Sequence, residues 1–375
     1  MKRKKKGKKL RLIIQLGLVI PLIFLSYFSY AFVYRSQTEL PPKSERTNQG
    51  SAVYSLEHLK DILSEDETFL KYAFAEEERE YEKEYGTYII PGMLSTRTLV
   101  AGQGDEPGIC TSMTPQGLAV TEDYVLISAY CHTKKHNSVI YVLDKENHSF
   151  IKELVVPGKP HLGGLAYDPV NQIIWASSNA KGIAQAISFT LESLEKYDLD
   201  KNREPVEIFQ ECNLYGIVRD SFMTYYQGSL YVGCFTKGTS SVLCRYSVGE
   251  DGRLVTQNTE DLGMDFEMAV PRATARISEK AQGMAFYQDH LLLSQSYGIL
   301  PSQLLFFKDS DEHLFINEVS VMEYKFPEKL EQIYVDGDYL YLLFESSAYA
   351  YRASSFRIVD RVIRLNLKEM TQGLN

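Results

Sequence analysis

A pattern of two apolar strands joined by a tight polar turn recurs along this chain and constrains its fold more than any other feature. Each copy begins at a small or polar residue, crosses a short apolar strand, turns, and ends a second apolar strand near Ser, Gly or Cys. The copies cover 116–128, 163–177, 221–234, 282–294 and 331–343. Turn residues such as Asp336-Gly337 at the junctions predict that every copy is a β-hairpin.

Further apolar runs extend these hairpins. A third strand is predicted at 138–143, 184–189, 242–246, 303–307 and 361–367, and a fourth at 150–155, 205–209 and 317–324. Four antiparallel strands repeated along a chain predict an all-β fold, a β-propeller of about five four-stranded blades. The last unit lacks an outer strand, which 88–100 can supply. A sixth blade stays open, within 191–204, 250–278 or 86–110.

The amino terminus predicts a membrane segment. Residues 1–11 contain eight Lys or Arg, and residues 12–34 carry no charge. At about 1.5 Å per residue, 12–34 can cross a hydrocarbon layer about 30 Å thick. Basic residues before it predict a cytoplasmic tail at 1–11, a transmembrane helix at 12–34 in contact with the lipid bilayer, and an extracellular remainder at the cell membrane. A signal peptide cleaved after Ala31 is the alternative.

The segment between membrane and propeller is predicted in two parts. Residues 35–54, which include Pro41-Pro42, are predicted to form a linker. Apolar residues at helical spacing, and a capping box from Ser64 to Glu67, predict a helical stalk over 55–86. The propeller would then occupy 87–375.

The charge of the remaining chain excludes nucleic acid as a partner. Eight of the 40 basic residues lie in the tail, which leaves 32 against 49 acidic residues. A body this acidic repels a phosphate backbone. The 26 Tyr and single Trp fit half-buried strands.

Polar residues just before or at the start of the first strands should meet at one mouth of the central channel. The predicted ligand-binding residues are Gln116, His161, Arg219, Asp220, Gln282 and Glu331. The alternative is that these side chains hydrogen-bond loops and close the channel. Glu345 and Arg352 could likewise form an ion pair, either beside a ligand or on the surface.

Cysteine placement allows two disulfides outside the cell, Cys110–Cys131 and Cys212–Cys234, with Cys244 free. Five reduced, buried cysteines are the other interpretation. Cys131 and His136 share a loop, but no second cysteine pair has a matching spacing and two lysines there repel a cation. We therefore predict no metal site in this loop.

The Gln-Gly-Leu-Ala opening at 116–119 and Gly-Gly-Leu-Ala-Tyr-Asp-Pro at 163–169 resemble inner strands of NHL-type and gluconolactonase/regucalcin-like β-propellers over roughly 110–367. The chain is also similar to secreted or membrane-anchored propellers of bacteria, notably Gram-positive ones. The first resemblance implies an axial divalent metal held by Glu, Asn and Asp. Here the openings carry Gln116, Gly163, Ser221, Gln282 and Glu331, of which only the last is a carboxylate.

These observations predict a membrane-anchored extracellular propeller that binds a protein or a small molecule. The sequence predicts no cofactor, with a divalent cation such as Ca²⁺ left open. The alternative function is a metal-dependent hydrolase or lactonase of the gluconolactonase-like kind. In it, Glu331 would be ligand or base, supported by His161 and Asp220. Whether the chain is an enzyme is not decided by its sequence, which lacks the Gly-x-Ser-x-Gly and His-Glu-x-x-His motifs.

Overall fold

Five mainly antiparallel sheets surround a central channel in the computed structural model, which describes residues 17, 19–30, 46–63, 67–73, 86–102, 106–180, 182–258, 267–308 and 313–374. Each sheet is one blade, and the first strands of neighbouring blades contact each other in a closed ring. The predicted five-bladed β-propeller is confirmed.

The strands are given from the channel outward. Blade 1 consists of Met113–Val120, Tyr124–Cys131, Val139–Asp144 and Phe150–Val155. Blade 2 consists of Leu165–Asp168, Ile173–Ala180, Ile183–Thr190 and Gln210–Leu214, extended by Glu267–Ala269 and Thr256–Asn258. Blade 3 consists of Phe222–Tyr226, Ser229–Gly233, Ser241–Ser247 and Ala273–Ile277, with Leu314–Phe315 outside.

The last two blades follow the same plan. Blade 4 consists of Ala281–Tyr287, His290–Gln295, Ser302–Lys308 and Met322–Phe326. Blade 5 consists of Leu330–Asp336, Tyr339–Phe344, Arg361–Asn366 and Thr87–Ile89. A two-stranded ribbon, Thr96–Leu99 with Pro107–Cys110, leads from blade 5 to blade 1.

The ring closes where the two ends of the propeller pair. Thr87–Ile89 lies antiparallel to Arg361–Asn366, with Tyr88 opposite Val362. The sequence predicts this closure from 88–100. The pairing strand is shorter, Thr87–Ile89, and the later part of the predicted segment, Thr96–Leu99, belongs to the ribbon. The described parts of the two long insertions form helices at Leu191–Lys196 and Leu199–Asn202 and the outer strands of blades 2 and 3.

Two predicted outer strands lie elsewhere. Residues 205–209 do not form the predicted fourth strand of blade 2, because Pro205 has no N–H for strand pairing and the Val206 N–H donates to the Val155 carbonyl of blade 1 at 2.8 Å. The fourth strand is Gln210–Leu214 instead. In blade 4, Asn317–Val319 forms a 3₁₀ turn, and the strand begins only at Met322.

Apolar side chains fill the spaces between blades. Every residue of Met113–Val120 is buried, so this strand is covered on both faces. Trp175, Phe306 and Tyr341 are among the largest fully buried side chains. Burial of each such side chain stabilises the fold by roughly 1.5–3 kcal/mol, which makes interblade packing its main support.

The helices predicted before the propeller are present at Leu56–Leu63 and Glu67–Tyr72. Leu59 and Leu63 are fully buried in one apolar cluster with Leu367 and Met370, the latter two from a helix that spans Leu367–Met370. These two helices therefore pack on the propeller. The remaining helix, Tyr349–Arg352, follows the second strand of blade 5.

Of the predicted membrane segment, residues 17 and 19–30 are described, and they are helical with exposed side chains. No helix within the described ranges is both long and apolar enough to cross a bilayer. The predicted tail 1–11 lies outside the described residues, as does most of the predicted linker.

Candidate functional site

All six sequence-predicted mouth residues line one cavity of about 800 Å³ at the end of the channel. We call it the mouth cavity. Three of the six, Gln116, Gln282 and Glu331, lie at register shifts in the first strands of blades 1, 4 and 5. A β-bulge re-aims the side chains around it. The bulges account for three polar side chains at the cavity in strands that are otherwise apolar.

A pair of carboxyls lies within the mouth cavity. Glu331 and Glu345 are both buried and hydrogen-bond to each other. Gln116 donates its side-chain N–H to Glu345 at 3.0 Å, and Gln282 donates to Glu331 at 3.2 Å. Burial and then Glu345 raise the pKa of Glu331 well above its usual range, and burial raises the pKa of Glu345 to about 7. The pair therefore retains a proton near neutral pH.

Asp220 is the second buried acid of the mouth cavity. Its side chain is 5% exposed, and no hydrogen bond of normal geometry reaches either carboxylate oxygen from the described residues, although the backbone amides of Ser178 and Gln185 are near enough to influence its charge. Burial raises the pKa of Asp220 to about 7, against a weaker opposing effect of nearby backbone amides such as Ser178. A buried carboxyl without partners costs folding free energy, so its position calls for an explanation beyond stability.

Four exposed cations line the rim of the mouth cavity: Lys134, Lys159, Arg219 and Lys237. None of them forms an ion pair within the described part of the chain. The cavity thus concentrates unpaired positive charge on an acidic body.

His161 lies in the same cavity with its ring stacked on Tyr130, the ring centroids 4.2 Å apart. His161 is exposed as a residue, but its ring is enclosed by protein. This burial of the ring, followed by the charges of Lys134 and Arg219, lowers the pKa of His161 to about 4. The imidazole is therefore neutral at pH 7 and can donate or accept a hydrogen bond.

Below the mouth cavity, Gln332 closes the channel. Its side-chain oxygen accepts the N–H of Leu118 at 2.9 Å and of Leu165 at 2.8 Å, and its N–H₂ donates to the carbonyls of Leu165 and Met223. One fully buried amide thereby connects blade 5 to blades 1, 2 and 3. We call this tie the channel floor.

Glycines make the floor narrow enough for that tie. A Cβ on Gly164 would lie 2.5 Å from the Met223 nitrogen, and one on Gly117 would lie 2.8 Å from the Leu165 nitrogen. Serines within the second strands support these glycines. Ser128, for example, accepts the Gly117 N–H at 2.8 Å. The small residues that open the repeats are therefore required by close approach of the first strands.

The cysteines are free thiols in the structure, all five of them buried. Cys110 and Cys131 lie near each other, whereas Cys212 and Cys234 each direct the sulfur to a backbone carbonyl. Burial raises the pKa of Cys110 to about 11. It also opposes ionisation of Cys131, yet hydrogen bonds from Thr133 and His136 lower the pKa of Cys131 to about 5. The two disulfides stay predictions.

The mouth cavity does not fit the axial divalent metal that the family resemblance implies. Glu331 and Glu345 use their oxygens on each other and on the glutamine amides, and Asp220 does not join them in a ligand cluster. Among the described residues, one group of potential ligands lies close enough together to hold an ion, and it is elsewhere: Cys110, Cys131 and His136. Hard divalent cations prefer several free carboxylate oxygens, which this cavity does not present.

Sequence reasoning missed two residues of this region. The sequence predicts an ion pair between Glu345 and Arg352. In the structure Arg352 donates to the Ser347 carbonyl at 2.7 Å, and Glu345 hydrogen-bonds to Glu331. Gln332 aligns with Gly117, Gly164 and Gly283 in the repeat, so a long polar side chain at a glycine position was the available signal for the floor.

No family model and no curated protein matches this chain. Solved structures that resemble it include a Thermus thermophilus protein named as an oxidoreductase (glucose dehydrogenase), at 13% identity and TM-score 0.40, covering 74% of this chain and 92% of that one. A Bacteroides uniformis protein named as a 6-phosphogluconolactonase has 10% identity and TM-score 0.32, covering 73% and 68%. A chain of a nidogen/laminin complex has 11% identity and TM-score 0.34, covering 67% and 85%.

Proposed function

We propose that this propeller is a binding module whose mouth cavity takes a small anionic molecule rich in hydroxyl groups. The observation that carries the proposal is the unpaired charge around the cavity. Lys134, Lys159, Arg219 and Lys237 line it without a carboxylate partner among the described residues. An anionic group on the ligand would pair with these cations.

The depth of the cavity supports the hydroxyl groups. Asp220 offers two buried oxygens without partners, and a ligand hydroxyl would donate to them. The Glu331–Glu345 pair holds both a proton and acceptor oxygens, so it can donate to or accept from a hydroxyl. A volume of about 800 Å³ suits a molecule of one or two sugar rings.

Calorimetric titration of the full-length chain in detergent tests the proposal with a matched pair of ligands, glucuronate and glucose. We expect saturable binding of the anion and much weaker binding of the neutral sugar. Arg219→Gln should weaken glucuronate binding about tenfold, the equivalent of about 1.4 kcal/mol. Lys368→Gln, an exposed cation that does not line the cavity, is the control and should leave the affinity unchanged. Equal affinity for both sugars, or no binding of either, would overturn the proposed ligand class.

We further propose that the module is held at the outer face of a cell membrane by residues 12–34, with a cytoplasmic basic tail. The uncharged run after eight cations supports this location, as does a helix over 19–30 whose side chains Leu22, Phe24 and Phe28 are all exposed. Protease added to intact cells should digest the propeller. Its protection until the membrane is permeabilised would contradict the orientation, and a mature chain beginning at Phe32 would identify a cleaved signal peptide instead.

One observation favours a second candidate, a hydrolase. A carboxyl with a pKa near 7 in a cavity, such as Glu345, can act as general acid or base. Because the cavity does not fit a divalent cation, this candidate would use Glu331 and Glu345 without metal. Hydrolysis of a lactone panel that is abolished by Glu345→Gln would favour it over simple binding.

A further inference from the structure

Three side chains from different parts of blade 1 and its ribbon converge beside the mouth cavity. Cys110 ends the ribbon, Cys131 ends the second strand of blade 1, and His136 follows in the next loop. Their ligand atoms all lie within 4.8 Å of one another, and Cys131 Sγ is 3.6 Å from His136 Nδ1. Cys110 lies outside the loop that contains His136, so the spacing of residues in that loop does not predict it.

The backbone holds these three positions in place. Val100 pairs with His136 across an isolated bridge, and the Asn137 N–H donates to the Leu99 carbonyl at 2.9 Å. The His132 N–H donates to the Ser112 carbonyl at 3.0 Å. The ribbon and the loop are thus fixed to each other by hydrogen bonds that do not involve the three ligand side chains.

We propose that Cys110, Cys131 and His136 bind a zinc ion, with a water molecule as its fourth ligand. Zinc bonds to sulfur at about 2.3 Å and to imidazole nitrogen at about 2.0–2.1 Å, so tetrahedral ligands lie about 3.6 Å apart from S to N. The observed separation of Cys131 Sγ and His136 Nδ1 has this value. On binding, each thiol that still carries a proton releases it to solvent, and His136 coordinates through an unprotonated Nδ1.

Hydroxyl groups around the cluster complete the environment of a thiolate site. Ser112 Oγ lies 3.7 Å from both sulfurs, and Thr133 Oγ1 lies 3.2 Å from Cys131 Sγ. Such donors stabilise metal-bound thiolates and orient them. Lys134 is one of the two lysines of this loop that were expected to repel a cation. Its side chain extends over the Tyr130 ring at 5.3 Å and lines the mouth cavity.

The ion would connect the ribbon to the loop that carries Lys134. This places a structural metal next to the proposed binding site but outside it, so the two proposals can fail independently. The glucuronate titration addresses one of them, and metal binding in the absence of any sugar addresses the other.

Cobalt is the probe for the experiment, because its spectrum reports thiolate ligands. The full-length chain, reduced and freed of metal, is titrated with Co²⁺ and then with Zn²⁺. We expect a near-ultraviolet thiolate-to-cobalt absorption band that saturates at one ion per chain and disappears as zinc displaces cobalt. Cys131→Ser should abolish the band. Cys244→Ser, which removes a buried free cysteine of blade 3, should leave it unchanged.

His136→Gln keeps the proposal testable if the cysteine variant fails to fold, because His136 is only half-buried. This variant should weaken cobalt binding at least tenfold and shift the visible bands. Absence of the band in the reduced wild-type chain would overturn the proposal, as would a band of unchanged position and affinity in Cys131→Ser and in His136→Gln. A Cys110–Cys131 disulfide in the isolated protein, followed after reduction by no uptake of cobalt, would overturn it in favour of a redox pair.

Discussion

Gln332 at the channel floor and Asp220 in the mouth cavity are both buried polar residues, but they differ in the hydrogen bonds that they make. At the floor, the Gln332 amide is fully buried, and its oxygen and nitrogen each make two hydrogen bonds. In the mouth cavity, Asp220 is almost as deeply buried, and both of its oxygens lack a partner within the described structure. A buried polar group that makes all its hydrogen bonds stabilises a fold. A buried polar group without hydrogen bonds lowers the free energy of unfolding, and other interactions must compensate for this loss.

The difference in hydrogen bonding distinguishes a residue that supports the fold, Gln332, from one that we assign to the proposed binding site, Asp220. Gln332 lies within the first strand of blade 5, and Asp220 lies two residues before the first strand of blade 3. Both side chains are buried, so burial alone does not distinguish them, whereas their hydrogen bonds do. We interpret the floor as the part that fixes the ring, and the unsatisfied Asp220 as a feature that supports the ligand proposed for the mouth cavity.

The largest expected effect is at the floor. Gln332→Ala removes four hydrogen bonds and leaves the buried N–H groups of Leu118 and Leu165 without an acceptor. We expect a loss of about 3–5 kcal/mol in the free energy of unfolding, measured by urea denaturation. Gln303→Ala, in a half-buried glutamine of blade 4, is the control and should cost less than about 1 kcal/mol. Similar losses in both variants would contradict the claim that Gln332 stabilises the fold more than a half-buried glutamine does.

A slightly smaller effect is expected where first strands touch. Gly164→Ala places a Cβ 2.5 Å from the Met223 nitrogen, so two blades must move apart. The expected destabilisation is about 2–4 kcal/mol. Gly373→Ala has no atom within 4 Å of the new Cβ and should change the thermal unfolding midpoint very little. A midpoint that is unchanged in Gly164→Ala would show that the floor tolerates wider spacing.

The mouth cavity should instead give the protein an unusual pH dependence. Folding raises the pKa of Asp220 and of Glu345 to about 7. Because the folded state holds these protons more tightly than the unfolded state, stability is present at low pH and is lost as the pH rises through 7. The Cys131 thiol, whose pKa is lowered to about 5, has the opposite effect over the same interval, so the contribution of the acids is measured against the variant Asp220→Asn. Between pH 6.5 and 8 we expect the wild-type chain to lose about 1 kcal/mol in the free energy of unfolding relative to this variant. A difference between the two chains that does not change with pH would contradict the assignment of a protonated Asp220.

The sequence predicts the repeat well because strand alternation and turn residues are local. The five hairpins, the closing strand near Tyr88 and the convergence of Gln116, Gln282 and Glu331 all follow from that periodicity. Contacts between blades are not local, and they decide the rest. Gln332 finds its partners 109 to 214 residues away, and Glu345 finds Gln116 at a separation of 229.

The cysteine cluster, too, was predictable only as far as its members are close together in the sequence. Spacing placed Cys131 and His136 in one loop, but the third member of their cluster comes from the ribbon before blade 1. The first strand of the ribbon lies within 88–100, which the sequence predicts as the strand that closes the ring, but it pairs with Pro107–Cys110 instead.

The stability of Asp220→Asn at pH 8 tests most directly whether the mouth cavity is organised for something other than folding. Asparagine has nearly the same shape and removes the charge that burial disfavours. Our account predicts that the variant unfolds at a higher urea concentration than the wild-type chain while it loses affinity for glucuronate. A variant that is less stable than the wild type at this pH, with unchanged affinity, would mean that Asp220 supports the fold as Gln332 does.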